Sequence, residues 1–302
     1  MEHLNEIAAA FRQASIPCAA REPLSRHTSF QIGGPAALFC EPQNKRQLAR
    51  AIAVCRQAGV RYYLLGKGTN ILFADEGFDG VVIHIGEVLG NIECNGLSVT
   101  AQAGAALSKV CIAAANEGLS GLEFAYGIPG CVGGAVYMNA GAYGGEMKDV
   151  VVSTRYLDHD LNLCEAEGAA HDFGYRHSVF SDTDCVVLGS TLALTPGDPA
   201  EIRACMLDLS ERRRSRQPLD LPSAGSTFKR PAGGYAAALI DAAGLKGYAV
   251  GGAQVSEKHA GFVVNRGGAT FDDVLRLMDH IRSEVLRTSG VELEPEVKII
   301  RG

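Results

Sequence analysis

Residues 121–146 read GLEFAYGIPGCVGGAVYMNAGAYGGE, with seven glycines between Gly127 and Gly145. Glycine has no Cβ, so it reaches positive φ freely and lets another group approach the main chain. One glycine marks a turn. Seven, interleaved with Pro129, Asn139 and Tyr143, describe a long irregular surface that a packed core does not require. Two readings fit these residues alone. One is a chain of tight turns between strands, because Gly and Pro are the usual turn residues. The other is a wall of backbone N–H groups shaped around an anionic cofactor.

A second glycine loop, Gly66-Lys67-Gly68-Thr69-Asn70, lies upstream. A Walker loop, GxxxxGK followed by Ser or Thr, requires glycine where this chain has Arg61 and a hydroxyl where it has Gly68. A Rossmann fingerprint requires a third glycine at position 71 opening a helix, but the apolar run Ile71-Leu72-Phe73 stands there. What remains is strand, glycine loop, strand. It is either a backbone nest for a pyrophosphate or a plain hairpin. Taken with the first stretch, it suggests a dinucleotide held outside a Rossmann fold.

Three polar segments are candidates for chemistry. FGYRHSVF (173–180) sets Tyr175, Arg176 and Ser178 in an apolar frame, and arginine is the natural fork for a planar carboxylate. The same arginine also fits an exposed connecting loop. SAGSTFKRP (223–231) packs two serines, a threonine, Lys229 and Arg230 around a turn, which fits a helix cap with solvated charges equally well. LEPEVK places Glu294 and Glu296 around Pro295, on one face if the segment is a strand or on a charged sheet edge. His259, in SEKHAGF, reads as a structural hydrogen-bonder rather than a base.

Composition narrows the class. The chain has 302 residues, 47% hydrophobic and 21% charged, as ordinary globular proteins do. A net charge of −6 argues against a nucleic-acid groove or an anionic membrane surface. No apolar run approaches the roughly 20 residues that span a bilayer, and the acidic N-terminus is unlike a signal peptide. The nine cysteines contain no C-x-x-C pair, so they predict neither a zinc site nor a disulfide framework, but reduced thiols in a cytoplasmic protein. Apolar spacing predicts helices over 4–15, 45–58, 106–117, 200–214, 235–243 and 272–288, the last with Val274, Leu277, Met278, Ile281, Val285 and Leu286 inward. Strands are expected over 62–65, 71–75, 80–85, 149–157, 161–165 and 185–194, and in the tail EVKIIRG.

Six segments in order, HTSFQIGGPA, LLGKGTNILFAD, GLEFAYGIPGCVGGAVYMNAGAYGGE, FGYRHSVF, AGSTFKRP and EVKII, make the chain resemble the UDP-N-acetylenolpyruvoylglucosamine reductase (MurB) family nearly end to end. The compact region between Tyr175 and Ser226 is similar to the shorter subtype, which lacks a tyrosine-bearing insertion. The resemblance implies an α+β, three-lobed flavoprotein with a two-lobed FAD-binding region of the PCMH/VAO type and a C-terminal substrate domain. It implies lobe 1 over residues 1–86, closed by the C-terminal strand 292–302, lobe 2 over 87–199 and the substrate domain over 200–291.

The implied activity is reduction of the enolpyruvyl ether of UDP-N-acetylglucosamine to UDP-N-acetylmuramate for peptidoglycan synthesis. NADPH is the co-substrate and noncovalent FAD the carrier. The resemblance implies Ser226 as proton donor, with Arg176 and Glu296 polarising the substrate carboxylate and stabilising the enol-like intermediate. A Glu296 carboxylate would repel that group, so it is expected to act protonated, or through Arg176 or a water. FAD contacts are implied at Gly66, Lys67, Gly68, Thr69, Asn70, Gly127, Ile128, Pro129, Gly130, Gly133, Gly134, Ala135, Asn139 and Gly141. Tyr175, Arg216, Lys229 and Arg230 are implied for the UDP-sugar, and Lys229 also as support for a serine alkoxide. No metal, nucleic-acid or membrane partner is expected, and the chain is expected to act as a cytoplasmic monomer. Two rivals are a flavin oxidase of the same superfold, which would lack the Ser226–Arg176–Glu296 set, and a silent nucleotide-binding protein, which would need no acid at Ser226.

Overall fold

The computed structural model describes residues 2–302. Its helices are α1 (Glu2–Gln13), α2 (Lys45–Gln57), α3 (Leu107–Asn116), α4 (Val132–Tyr137), α5 (Pro199–Arg216), α6 (Ala236–Ala242) and α7 (Phe271–Ser289). All but α4 are helices that the sequence predicts, although α5 buries only Ile202 and Met206. In α2 the Asn44 side chain accepts the Gln47 N–H at 3.0 Å, a cap for an otherwise unpaired donor. In α7 Thr270 and Asp273 cap each other's backbone, and the helix ends at Gly290 in the left-handed conformation. Its inward face buries Val274, Leu277, Met278, Ile281 and Val285, at roughly 1.5–3 kcal/mol per large apolar side chain before entropy is charged. Leu286 departs from the expected face and is half exposed.

The chain divides into two units. The first comprises the segment up to Cys18, then Cys40–Lys67 and Val82–Arg213. Its centre is a five-stranded antiparallel sheet in the order Leu163–Glu167, Val151–Leu157, Val186–Ala193, Ser98–Gln102, Ile92–Asn95. Alternation along these strands sends Val99, Ala101 and Leu192 into a core shared with Leu107, Val110, Val132 and Val136. The edge strand Ile92–Asn95 was not expected. Its side chains are mostly exposed, so it carries little apolar alternation.

The second unit comprises Ala19–Phe39, Gly68–Val81 and Arg214–Gly302. An antiparallel sheet runs Ser223–Ser226, Phe262–Asn265, Ala253–Val255, Ala249–Val250. α6 and α7 supply Ile240, Val274, Leu277 and Ile281 to a core that also holds Phe30, Leu72, Val255 and Leu293. A separate parallel pair joins Ile71–Phe73 to Lys298–Ile300. Ile71–Phe73 thus takes the C-terminal strand as its partner, so Gly66–Asn70 is not the loop of a plain hairpin. That last strand begins at Lys298, and Glu294 and Glu296 precede it in irregular backbone.

Candidate active site

In the first unit the glycine stretch is not one irregular wall. α4 interrupts it, and several of its N–H groups are already used. Ile128 donates to the Ala125 carbonyl, Val132 to Ala105, Gly133 to Ala103 and Ala135 to Cys131, at 2.8–3.0 Å. The bonds from Val132 and Gly133 lay this part of the stretch along residues 103–105. A Cβ on Gly133 would sit 3.0 Å from the Ala103 Cβ, so that glycine serves the close approach.

Gly134 is different. It is exposed and its φ is not left-handed, and an added Cβ would meet only the Cys131 Sγ, at an ordinary 3.8 Å. An exposed glycine inside a helix costs roughly 0.5–1 kcal/mol against alanine. The uncovered face leaves room for a flat group such as FAD. The other glycine loop adjoins here, since a Cβ on Gly66 would lie 2.7 Å from the Cys131 Sγ. Lys67 carries its Nζ 3.9 Å from the Glu87 carboxylate.

Arg176 occupies a tight turn. Gly174 and His177 exchange backbone hydrogen bonds of 3.1 and 3.3 Å, leaving Tyr175 and Arg176 at the tip. Arg176 has φ of 55°, a conformation that glycine or asparagine adopts more readily. Its Nη2 donates to the Gly141 carbonyl at 3.4 Å, and its Cζ lies 5.2 Å from the exposed Tyr175 ring. The turn is therefore held to the glycine stretch. Asn139 and Gly141, both expected at the cofactor, bond to the turn that carries Arg176.

Sequence reasoning missed Arg213. A Cβ on Gly127 would lie 3.2 Å from its Cδ, so the arginine stem packs on the glycine stretch. Burial holds its pKa below the ordinary arginine value, while the Tyr143 phenol acts in the opposite sense. Among the described residues no hydrogen bond or ion pair holds this guanidinium. The basic run Arg212-Arg213-Arg214 was visible, but only the fold separates its half-buried member from its exposed neighbours.

In the second unit the remaining candidates gather around the strand end at Ser226. Gly225, at φ 76°, gives the bulge between Ser223 and Ser226, and Ser226 is exposed opposite Phe262. Thr227, nearly fully buried, ties the strand down: its hydroxyl accepts the Val263 N–H at 3.0 Å. Its carbonyl accepts the Glu296 N–H at 2.8 Å, and Lys229 N–H donates to the Glu294 carbonyl at 2.8 Å. Residues 227–229 and 294–296 thus run antiparallel, bridged at Phe228 and Pro295, which sets Glu296 opposite Thr227, the residue that follows Ser226. Asn70 joins them, its Nδ2 donating to the Glu296 carbonyl at 3.1 Å. Gly68 is required by the fold: its φ is 60°, and a Cβ would fall 2.1 Å from the His27 carbonyl oxygen. Thr69 lies half-buried between them.

The basic candidates are placed less uniformly. Lys229 reaches the Glu294 carboxylate at 3.2 Å in an exposed ion pair. Arg230 stacks on Tyr235 at 4.2 Å, and Arg216, the last residue of α5, is exposed. The neighbouring Gln217 Oε1 is buried and, among the described residues, has no hydrogen-bond partner. His259 accepts the Gly261 N–H on Nδ1 at 3.2 Å, and burial depresses its pKa, as suits a structural hydrogen-bonder. Among the described residues no group of three or more His, Cys, Asp or Glu side chains is placed to hold a metal, and no helix is long and apolar enough to cross a membrane.

Residues 217–300 match the family described as UDP-N-acetylenolpyruvoylglucosamine reductase, C-terminal domain, and residues 36–166 match an FAD binding domain. A protein of Caldanaerobacter subterraneus named UDP-N-acetylenolpyruvoylglucosamine reductase is 48% identical over 279 residues, 92% of each chain. One of the same name from Clostridium perfringens is 48% identical over 92% of this chain and 91% of its own. The crystal structure of UDP-N-acetylenolpyruvylglucosamine reductase (MurB) from Thermus caldophilus superposes with a TM-score of 0.79 at 34% identity, covering 94% of this chain and 98% of that one.

Proposed function

The chain belongs to the UDP-N-acetylenolpyruvoylglucosamine reductase family, and from that premise we propose how its residues divide the work. The enzyme is an FAD-dependent oxidoreductase that uses NADPH to reduce UDP-N-acetyl-3-O-(1-carboxyvinyl)glucosamine to UDP-N-acetylmuramate, a precursor of peptidoglycan. Its fold is α+β, with an FAD-binding region of the PCMH/VAO type and a C-terminal substrate domain. FAD, when bound, carries hydride from NADPH to the terminal carbon of the enol ether.

Arg176 takes the substrate carboxylate. An enol ether is a poor electrophile, so hydride adds only as the conjugated carboxylate accepts electron density. A fixed planar donor at that developing charge is typically worth ~3–4 kcal/mol. Ser226 gives its hydroxyl proton to the carbon bearing the carboxylate. One hydride and one proton across the double bond complete the lactyl ether. Glu296 stabilises the enol-like intermediate in protonated form, or acts through Arg176 or a water. Proton donation of this kind contributes about 10²–10⁴-fold.

Gly66, Lys67, Gly68, Thr69, Asn70, Gly127, Ile128, Pro129, Gly130, Gly133, Gly134, Ala135 and Gly141 line the FAD, with Asn139 buried among them and its side chain spent on protein partners. The exposed glycine face at Gly134 supports that assignment. Tyr175, Arg216, Lys229 and Arg230 hold the UDP-sugar, Lys229 after release from Glu294. The lobes run 1–86 with 292–302, 87–199 and 200–291; the parallel pairing of Lys298–Ile300 with Ile71–Phe73 supports the return of the last strand to the first lobe. The enzyme works as a cytoplasmic monomer without nucleic-acid partners.

The observation that supports the catalytic reading is the bond between the Glu296 N–H and the Thr227 carbonyl, which pairs Glu296 with the residue next to Ser226 in the chain. Stopped-flow absorbance of Ser226→Ala tests it. Flavin reduction by NADPH stays near the wild-type rate, and anaerobic reoxidation by the enolpyruvyl substrate fails. The opposite pattern, slow reduction with intact reoxidation, removes Ser226 from the acid role.

A further inference from the structure

Asn139 is completely buried and sits at φ of 41°, in the left-handed region that asparagine tolerates better than most residues. Its side-chain amide is spent on protein partners. Nδ2 donates to the Gly174 carbonyl at 2.9 Å and to Glu146 Oε2 at 3.1 Å, while Oδ1 accepts the Lys148 N–H at 2.9 Å. Glu146 in turn lies 2.7 Å from the Lys148 Nζ, which orients its carboxylate. An amide with both donors engaged and no solvent exposure has nothing left to offer a cofactor through its side chain.

The partner that matters is Gly174. Its carbonyl closes the turn that carries Arg176, accepting the His177 N–H at 3.3 Å as well as the Asn139 amide. Two further bonds run between the same segments: Arg176 Nη2 to the Gly141 carbonyl at 3.4 Å, and Ser178 Oγ to the Tyr137 carbonyl at 2.9 Å. Of these, the Asn139 bond is the one made to Gly174 itself, at the base of the turn, while the equally buried Ser178 hydroxyl holds the residue that follows His177. Arg176 itself holds a left-handed conformation, which persists only where the surroundings over-determine it.

We propose that Asn139 is a positioning residue for Arg176, fixing through the Gly174 carbonyl the direction in which the guanidinium meets the substrate carboxylate. The inference rests on the assignment of Arg176 above. Asn139→Asp keeps size and the tolerance for positive φ, but it turns the donor into an acceptor facing the Gly174 carbonyl and the Glu146 carboxylate. Asn139→Gly keeps φ and deletes the amide.

Both variants are compared with wild type in each half-reaction, and again in an Arg176→Lys background that keeps the charge. Misplacement of this order lowers substrate-dependent reoxidation about 10- to 100-fold, at least tenfold more than it lowers flavin reduction by NADPH. In the Arg176→Lys background the additional loss shrinks to within about threefold, because residues acting through one another are not additive. Equal losses in both half-reactions, a full-sized loss in the Arg176→Lys background, or loss of FAD stoichiometry overturns the proposal. If neither variant accumulates as folded protein, Glu146→Gln, which removes the charge that orients the amide, is put through the same cycle and judged by the same outcomes. Failure of the Arg176 assignment is separate: it shows as full turnover by Arg176→Ala alone.

Discussion

Replacing Gly134 separates what the fold asks of the glycine stretch from what the cofactor asks. In the protein alone the residue is exposed on α4, its φ is not left-handed, and a Cβ would touch only the Cys131 Sγ at 3.8 Å. Alanine is a better helix former by roughly 0.5–1 kcal/mol. At about 2–4 °C per kcal/mol for a unit of this size, the apoprotein of Gly134→Ala should melt some 1–4 °C higher than wild-type apoprotein. Bound FAD reverses the sign. A ligand at 100 times its Kd stabilises by about 2.7 kcal/mol, and a hundredfold weaker Kd leaves about 0.4 kcal/mol. The holoprotein therefore forfeits about 2.3 kcal/mol, or roughly 5–9 °C of its melting shift. Gly134→Leu, with a larger side chain on the same face, should be purified without its yellow colour while remaining folded. The assay is differential scanning calorimetry of apo- and holoprotein, with FAD titration followed by flavin fluorescence. Apoprotein destabilised by the alanine, or FAD bound as tightly by Gly134→Leu as by wild type, refutes the reasoning.

Gly68→Ala should fail for the opposite reason. Its Cβ would overlap the His27 carbonyl at 2.1 Å with φ at 60°, so the apoprotein itself loses stability, by more than about 1 kcal/mol in a urea titration. Arg176→Lys keeps charge but loses the planar fork. Turnover with the enolpyruvyl substrate should fall at least tenfold in steady-state kinetics, and full activity in both Arg176→Lys and Arg176→Ala would make the residue merely structural. Asp273 is held below the usual carboxylate range, first by the Thr270 N–H and also by the Gly252 N–H. A depressed folded pKa means its contribution is present above the unfolded value near 3.8 and is lost as pH falls through the lower folded value. Thr270→Ala, which removes the other half of this cap, should cost about 1 kcal/mol at neutral pH by thermal denaturation.

Much was legible in the chain because it is written locally. Helical spacing and caps mark α2 and α7, since a buried stripe and an orphan N–H are satisfied within a few residues. The two glycine loops, and the ordered motifs ending in EVKII, point to the family by themselves. α4 was not legible, because glycine disfavours helix. That segment is placed by hydrogen bonds from Val132 and Gly133 to carbonyls at 105 and 103. Nor could spacing single out Arg213 from its basic run, since only burial distinguishes it.

The closing strand shows the division most clearly. Its alternation announced a strand, and the resemblance implied that it returns to the first lobe. Yet the choice of Ile71–Phe73 as partner, the register of Lys298 on Ile71, and the Asn70 amide on the Glu296 carbonyl join residues more than two hundred positions apart. Local propensity is nearly the same for every such pairing, so the amino acids alone named Ser226, Glu296 and Asn70 as candidates. Bringing them together required the burial of Leu72, Leu293 and Val297 in one core, a free energy that exists only once the chain has closed on itself.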